Sequence, residues 1–138
     1  MNKISWVAKS HWGYPDDWME RWKPDLELHK EDLSKQEILV LLDGAQAIGF
    51  SAVQDYSEHV EVNHLWILPS YIGKGLGKRL LQKSLTKALV KGRPVLVDAD
   101  PNAEGFYTNF GFITFAQVAS YPPGRFLPRM RLFPTLDA

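Results

Sequence analysis

The feature that most constrains this chain is a set of three alternating glycines between an apolar segment and a basic one. Residues 63–81 read NHLWILPSYIGKGLGKRLL, so the apolar stretch ends at Pro69 and glycines occupy positions 73, 75 and 77. Glycine lets the backbone approach a ligand closely, and the first N–H groups of a helix have no partners within that helix. Together with the helix dipole, Lys74 and Lys78, this strand–loop–helix segment predicts a site for phosphate groups.

Two well-known phosphate-binding loops do not fit this spacing. The Walker loop requires a glycine where this chain has Ile72, and a Ser or Thr where it has Arg79. The dinucleotide fingerprint requires a third glycine where the chain has Lys78, and it belongs on a first βαβ unit rather than after a hairpin. Asp98 nevertheless stands where a ribose-binding acid would, so a nicotinamide-dinucleotide-binding protein stays as a remote alternative.

The segment resembles the coenzyme A loop of the GNAT superfamily of N-acetyltransferases, in which Arg/Gln-x-x-Gly-x-Gly/Ala follows a strand that ends in apolar-x-Pro. The run 67–69 (Ile-Leu-Pro) matches the strand end, and Gly75 and Gly77 match the glycines. Ile72 stands where the family usually has Arg or Gln. That departure removes one side-chain contact but leaves the backbone amides, which do most of the diphosphate binding in the family.

A second match lies downstream, where residues 102–112 (NAEGFYTNFGF) resemble the family segment in which an Asn and an Ala or Gly precede Phe-Tyr-x-x-x-Gly-Phe. The resemblance implies that Asn102 and Tyr107 face the pantetheine and the sulfur of the cofactor. It further implies that acetyl-CoA is the cosubstrate and that it is bound by Leu65, Ile67, Leu68, Ile72, Gly73, Lys74, Gly75, Leu76, Gly77, Lys78, Asn102 and Tyr107.

The implied reaction is direct attack of an amine on the acetyl thioester, which generates an oxyanion and releases a thiolate. We expect the main-chain N–H groups of Ile67 and Leu68 to stabilise the oxyanion, and the Tyr107 hydroxyl to serve as the proton donor. The family often places a carboxylate base where this chain has Asn63, which cannot accept a proton. His64 and Glu61 are the nearby candidates for the base, and the sequence does not choose between them.

The acceptor site is expected from two further segments, which the resemblance places beside the acetyl group. The loop containing His11, Trp12 and Tyr14 is aromatic and glycine-containing, and Arg125 in the segment 120–129 could hold a substrate carboxylate with two hydrogen bonds. Small amines, amino acids, antibiotics and protein amines all remain open as acceptors.

Composition excludes several other classes of protein. Sixteen basic residues balance sixteen acidic ones, so no overall charge favours nucleic acid or an anionic membrane as a partner. The absence of cysteine excludes disulfides and a thiol nucleophile, and the four histidines show no metal-ligand spacing, so no metal is expected. Neither a signal peptide nor a membrane span is apparent, which favours a cytoplasmic protein.

The pattern along residues 1–138 predicts a single α/β domain with a mixed, mostly antiparallel GNAT-type sheet flanked by helices. Helices are predicted at 3–10, from Pro15 to before Pro24, at 78–90 and after Asn102. Strands are predicted at 36–42, 45–54, 58–68, 94–99, 113–119 and 130–133, with a tight turn at Asp43-Gly44. The family's first strand has no room ahead of the first helix, so we expect a shortened sheet, although a neighbouring chain, as in a homodimer, could supply the strand.

Three functions therefore remain from sequence. The first is an N-acetyltransferase acting on a primary amine of a small molecule or protein. The second is a noncatalytic acetyl-CoA-binding regulator on the same fold, because Asn63 cannot act as a base. The nicotinamide-dinucleotide alternative is the third.

Overall fold

The computed structural model describes residues 1–133 as six α-helices and six strands that share one sheet. Three helices come first, namely α1 (Asn2–Ser10), α2 (Asp16–Leu26) and α3 (Lys30–Lys35). The first three strands follow as β1 (Gln36–Asp43), β2 (Gln46–Asp55) and β3 (Val60–Ile67). The rest of the chain forms α4 (Leu76–Ser84), α5 (Thr86–Lys91), β4 (Val95–Asp98), α6 (Glu104–Phe110), β5 (Ile113–Ala119) and β6 (Phe126–Leu132).

The sheet has the strand order β1-β2-β3-β4-β6-β5, and every neighbouring pair is antiparallel except β3 and β4. This confirms the predicted fold class, a mixed and mostly antiparallel sheet with helices. The hairpin predicted at Asp43-Gly44 joins β1 to β2. Among residues 1–133 no strand precedes α1, so the sheet begins at Gln36 as expected.

Strands β3 and β4 run side by side only briefly. They pair at Val60–Val62 with Val95–Val97, whereas β3 continues for five more residues along β2. The β2–β3 register shifts where Asn63 is the extra residue of a β-bulge, between the pairs Ala52–His64 and Val53–Val62. Beyond Val62 one edge of β3 is therefore open, and the two strands diverge around a cleft.

Two hydrophobic cores cover the sheet. The larger packs Val60 and Val62 of β3 against α4, α5 and α6, with Leu81 and Leu85 fully buried. The smaller lies around Met19 and Trp22 of α2, with Trp66 of β3 packed against it. The bulge at Asn63 explains why Val62 contributes to one core and Trp66 to the other, since an extra residue reverses the alternation of side chains.

Several predicted element boundaries were wrong. Helix α2 continues past Pro24 to Leu26, because Leu26 is buried in the smaller core and its carbonyl accepts a 2.7 Å hydrogen bond from the Ser5 hydroxyl. The predicted helix 78–90 begins earlier, at Leu76, and is divided at Leu85 into α4 and α5. Hydroxyls of Ser84 and Thr86 bond to carbonyls one turn earlier at this division, and such bonds often bend helices.

The last strand was predicted at 130–133 but begins four residues earlier, at Phe126. The proline at position 128 argued against a strand there, because proline has no N–H to donate within a sheet. Its carbonyl nevertheless accepts a hydrogen bond from Ala99 N–H at 3.0 Å, which stabilises β6 beside β4. Helix α3 was not predicted from sequence. None of the helices within residues 1–133 is long and apolar enough to span a bilayer.

Candidate active site

A cleft of about 650 Å³ opens where β3 and β4 diverge. The glycine loop and the start of α4 border one end, and α6 forms the side wall. The other end is bordered by residues of α1, α2 and the turn between β5 and β6. Both sequence motifs that resemble the GNAT pattern therefore line one cavity.

The glycine loop presents a row of unpaired main-chain donors. In the described part of the chain, no hydrogen bond uses the N–H of any residue from 73 to 78, and no side chain caps α4. Gly75 is the N-cap of α4 and has the left-handed φ of 74°, which L side chains rarely adopt. That conformation turns the loop sharply and directs its N–H groups outward, as a diphosphate site requires.

Gly77 serves a different purpose from Gly75. A Cβ at position 77 would lie 3.3 Å from the Phe106 ring and 3.8 Å from the Ile67 side chain. Packing is therefore tight at this position, so that even a methyl group would require the Phe106 ring to shift slightly, and glycine lets α4 lie close to both β3 and α6.

Ten of the twelve residues expected to bind the cofactor line the cleft. Leu68 and Lys74 lie outside the lining, and the Lys74 ammonium sits 5.3 Å from the centre of the Tyr71 ring. The lining set consists of Leu65, Ile67, Ile72, Gly73, Gly75, Leu76, Gly77, Lys78, Asn102 and Tyr107.

The expectation that Leu68 supplies a free oxyanion donor was wrong. Its N–H donates to the Ile48 carbonyl at 2.8 Å, and its own carbonyl accepts from Tyr71 N–H at 2.9 Å. Amides alternate in direction along an antiparallel strand, so the N–H groups of Ile67 and Leu65 point away from β2. They face the open edge of β3, where a thioester could reach them.

Tyr107 lies on α6 with its ring in the larger core, between Phe106 and Phe112 at centroid distances of 5.2 and 5.3 Å. The residue also lines the cleft. Burial raises the pKa of its hydroxyl well above the usual value, so the group stays protonated throughout the neutral range. Tyr107 can therefore donate a hydrogen bond in the cleft.

His64 lines the cleft but has its Nδ1 atom engaged. The Trp66 indole N–H donates to that nitrogen at 3.0 Å, and an indole can only donate. The lone pair of the neutral imidazole is thus held by Trp66, and a proton could be accepted there only after this bond is broken. The arrangement makes His64 poorly suited to act as a base.

The structure does not bring Glu61 to the cleft. Its carboxylate contacts the His59 ring at 3.2 Å and is 38% exposed. Asn63 borders the cleft, and its amide donates to Gln36 at 3.0 Å.

A buried ionic cluster at the far end of the cleft was not predicted from sequence. Asp100, two residues after the end of β4, contacts the Lys9 ammonium and accepts a hydrogen bond from the Tyr14 hydroxyl at 3.0 Å. It also caps the next turn by accepting from Asn102 N–H at 2.9 Å. Arg125 completes the cluster at 3.6 Å from the Asp100 carboxylate.

Aromatic rings hold the two cations of this cluster in place. The Lys9 ammonium lies 4.6 Å and the Arg125 guanidinium 4.5 Å from the centre of the Trp22 ring. Burial raises the pKa of Asp100, but Lys9 and the hydrogen bonds outweigh that effect and leave the pKa below its usual value. Burial lowers the pKa of Lys9, and Asp100 offsets this only in part.

This cluster makes a prediction about stability. Asp100→Asn should lower the free energy of unfolding at pH 7 by about 3–5 kcal/mol, because two cations lose their buried counter-ion. The pKa of Asp100 is depressed in the folded state, so its contribution is complete above the unfolded pKa and is lost as the pH falls through the folded pKa. Urea unfolding should therefore show a difference from wild type that shrinks below about pH 4.

Asp98→Asn is the matched control, since Asp98 pairs with Arg129 at the surface, 39% and 43% exposed. The Asp98→Asn substitution should lower the free energy of unfolding by less than about 1 kcal/mol. Equal losses in the two variants at pH 7 would show that Asp100 does not hold a buried charge network.

The four residues expected at the acceptor site are only partly brought together. Trp12 and Arg125 line the cleft, while the Tyr14 hydroxyl accepts hydrogen bonds from Asn102 at 2.9 Å and from Arg125 at 3.2 Å. His11 is exposed, contacts Trp12 edge-on and does not line the cleft. Lys9, Trp22 and Asp100 also line the cleft, and sequence did not indicate them as site residues.

Comparison with known proteins agrees with this geometry. Residues 14–122 match the family described as the acetyltransferase (GNAT) domain, and the chain belongs to that family. The sequence matches none of the curated proteins significantly.

Solved structures of N-acetyltransferases share the fold. A GCN5-related N-acetyltransferase from Rhodopseudomonas palustris has a TM-score of 0.77 at 20% identity, covering 96% of this chain and 86% of its own. The PaiA N-acetyltransferase of Thermoplasma acidophilum, solved with coenzyme A, has a TM-score of 0.71 at 17% identity over 96% and 89% of the two chains. The Escherichia coli ribosomal-protein-S18-alanine N-acetyltransferase has a TM-score of 0.69 at 17% identity, covering 99% of this chain and 87% of its own.

Proposed function

We propose that residues 1–138 form a single acetyltransferase domain that moves an acetyl group from acetyl-CoA to a primary amine by direct attack. One observation carries the proposal: the unpaired amides of residues 73–78 open into a cleft that continues along the free edge of β3. An extended thioester carrier needs both features, a phosphate site and a strand edge for its pantetheine. The match to PaiA, whose structure contains coenzyme A, supports this choice of cofactor.

In the proposed reaction the acceptor nitrogen attacks the thioester carbonyl carbon. The N–H of Ile67, which faces the open edge, donates to the developing oxyanion. As the intermediate collapses, the C–S bond breaks and the Tyr107 hydroxyl donates a hydrogen bond to the departing sulfur. The raised pKa of Tyr107 makes it a weaker acid than a thiol, so it stabilises the thiolate mainly through this hydrogen bond.

The amine must also lose a proton, and neither expected base is well placed. His64 has its Nδ1 atom engaged by Trp66, and Glu61 lies outside the cleft. We propose that water in the open cleft accepts this proton. Activity should accordingly rise with pH over the range in which the acceptor amine becomes deprotonated.

The test has two stages. Calorimetric titration should show binding of acetyl-CoA and none of NAD, and a thiol reagent should then detect coenzyme A released in the presence of a panel of primary amines. Binding of NAD alone would end the proposal at the first stage. Binding of acetyl-CoA without thiol release for any amine would end it at the second.

A noncatalytic acetyl-CoA-binding regulator is the second candidate, and the engaged His64 together with Asn63 in place of a carboxylate favours it. That candidate predicts tight binding of acetyl-CoA without release of thiol in any amine panel. Membership of the GNAT family gives no support to the nicotinamide-dinucleotide alternative.

A further inference from the structure

The end of the cleft beyond the open edge of β3 carries an excess of positive charge, although the charged side chains there are largely shielded from solvent. Two cations lie there: Lys9 is buried, and the Arg125 side chain is only 12% exposed. One carboxylate, Asp100, is in contact with both. Counted over the described residues, this largely desolvated cluster therefore carries one uncompensated positive charge, which is costly unless an anion completes it.

Among the side chains that the structure describes, the other acidic groups near this end do not balance that charge. Asp98 lines the cleft but is paired with Arg129 on the neighbouring strand, and Asp25 is an exposed residue of α2 at the rim, where solvent screens it. Lys78 lies at the opposite end of the cleft, beside the glycine loop.

Arg125 has donors left for a ligand. One terminal nitrogen donates to the Ser120 hydroxyl at 3.0 Å, and the other donates to the Tyr14 hydroxyl at 3.2 Å. A guanidinium has five N–H groups, so three remain after these two bonds, with the Asp100 carboxylate 3.6 Å away. The residue lines the cleft and is stacked on Trp22, so its planar fork is held ready for an anion.

We propose that the acceptor carries a carboxylate together with its primary amine, as an amino acid does, and that Arg125 and Lys9 bind the carboxylate. This inference rests on the acetyl transfer proposed above. A singly charged carboxylate balances the single excess charge of the cluster, whereas a phosphate dianion would leave a buried negative charge. Trp12, Trp22 and Leu127 line the same end and offer an apolar surface to the rest of the acceptor.

The experiment compares matched acceptors that differ only in this group. Phenylalanine, leucine and methionine are each measured beside their carboxamides, and thiol release gives kcat/KM for every compound. We expect the carboxylates to be better acceptors by about tenfold or more, the value of one charge-assisted hydrogen bond. The assay is run at pH 7, where the less basic amine of each carboxamide is the more extensively deprotonated, so a preference for carboxylates at this pH does not come from a larger fraction of free amine.

The variant Arg125→Met removes the fork and retains the apolar stem. It should lower the ratio of kcat/KM for the carboxylates to kcat/KM for the carboxamides by about tenfold or more, which removes the preference for carboxylates. Arg131→Met is the matched control, because Arg131 is an exposed β6 residue stacked on Phe115 and Phe133 outside the cleft. Melting temperatures of both variants report any loss of stability. The ratio of kcat/KM for the two acceptor types within one variant does not depend on the fraction of protein that is folded.

A binding readout separates this inference from the proposed function. N-acetylphenylalanine and N-acetylphenylalaninamide are titrated calorimetrically in the presence of coenzyme A, which requires no turnover. Tighter binding of the carboxylate, lost in Arg125→Met, supports the inference even if no acceptor is turned over. Equal kcat/KM for carboxylates and carboxamides, or equal binding of the two acetylated compounds, overturns the inference while leaving acetyl transfer intact.

Discussion

Replacing Gly75 with valine is expected to weaken acetyl-CoA binding about 100-fold or more. Gly75 has a φ of 74° at the N-cap of α4, and a β-branched residue is strained in that conformation by a few kcal/mol. Relief of the strain would rotate the amides of residues 73–78, which must converge on the diphosphate. In addition, a Cβ at position 75 meets no atom within 4 Å, so the valine would project into open space that the ligand needs. Isothermal titration calorimetry measures the change.

Gly44→Val is the control for backbone strain. Gly44 has a φ of 60° in the β1–β2 turn, and a Cβ there also meets no atom within 4 Å. The two variants thus share the substitution, the left-handed backbone and the lack of steric conflict. We expect Gly44→Val to lower stability and to retain wild-type affinity for acetyl-CoA. Comparable affinities in the two variants would contradict a role for the loop in binding.

Tyr107→Phe is expected to lower kcat by about tenfold or more while leaving the affinity for acetyl-CoA nearly unchanged. Phenylalanine preserves the ring contacts with Phe106 and Phe112, so the larger core should not be disturbed. What is lost is the hydrogen bond to the departing sulfur, which is needed only as the C–S bond breaks. Steady-state kinetics and calorimetry together separate the two effects.

The raised pKa of Tyr107 adds a pH signature to this variant. Because burial keeps the hydroxyl protonated above its usual range, the ratio of wild-type to variant kcat should be constant from about pH 7 to pH 10. Tyr56→Phe serves as the control, since Tyr56 is exposed beside His59 and lies outside the cleft. Unchanged kcat in Tyr107→Phe would show that this residue does not stabilise the departing sulfur by a hydrogen bond.

The parts of the fold that sequence predicted correctly are those set by local signals. The Asp43-Gly44 turn defined the β1–β2 hairpin, and the alternating glycines located the start of α4 to within two residues. Boundaries failed where distant contacts outweighed local preference. Leu26 extends α2 past Pro24 because its burial and its bond to Ser5 stabilise the last turn.

In the candidate site, too, local sequence predicted some residues and distant contacts determine the others. Residues of the glycine loop and α6 could be located because each motif is contiguous in sequence. The Lys9–Asp100 pair could not, since 91 positions separate the two residues and no spacing rule joins them. The sequence around Asp100 carries only local information: Asp-Pro-Asn at 100–102 indicates a capped turn. It does not indicate that a lysine of α1 lies beside the carboxylate.

The oxyanion donors show a third limit of sequence. The strand could be located, but the direction of each amide depends on the register between β2 and β3. The bulge at Asn63 and the bond from Leu68 to Ile48 determine that Ile67 rather than Leu68 faces the open edge. Hydrogen-bond register is a property of two strands together, so one strand's sequence does not reveal it.

The central claim is that the main-chain amides of residues 73–78 hold the diphosphate of acetyl-CoA. A crystal structure of this protein grown with excess acetyl-CoA tests it most directly. We expect diphosphate oxygens about 3 Å from several of these nitrogens, with the pantetheine running along the free edge of β3. A cofactor bound with its diphosphate elsewhere, while the same amides face solvent or are covered by side chains, would contradict the claim.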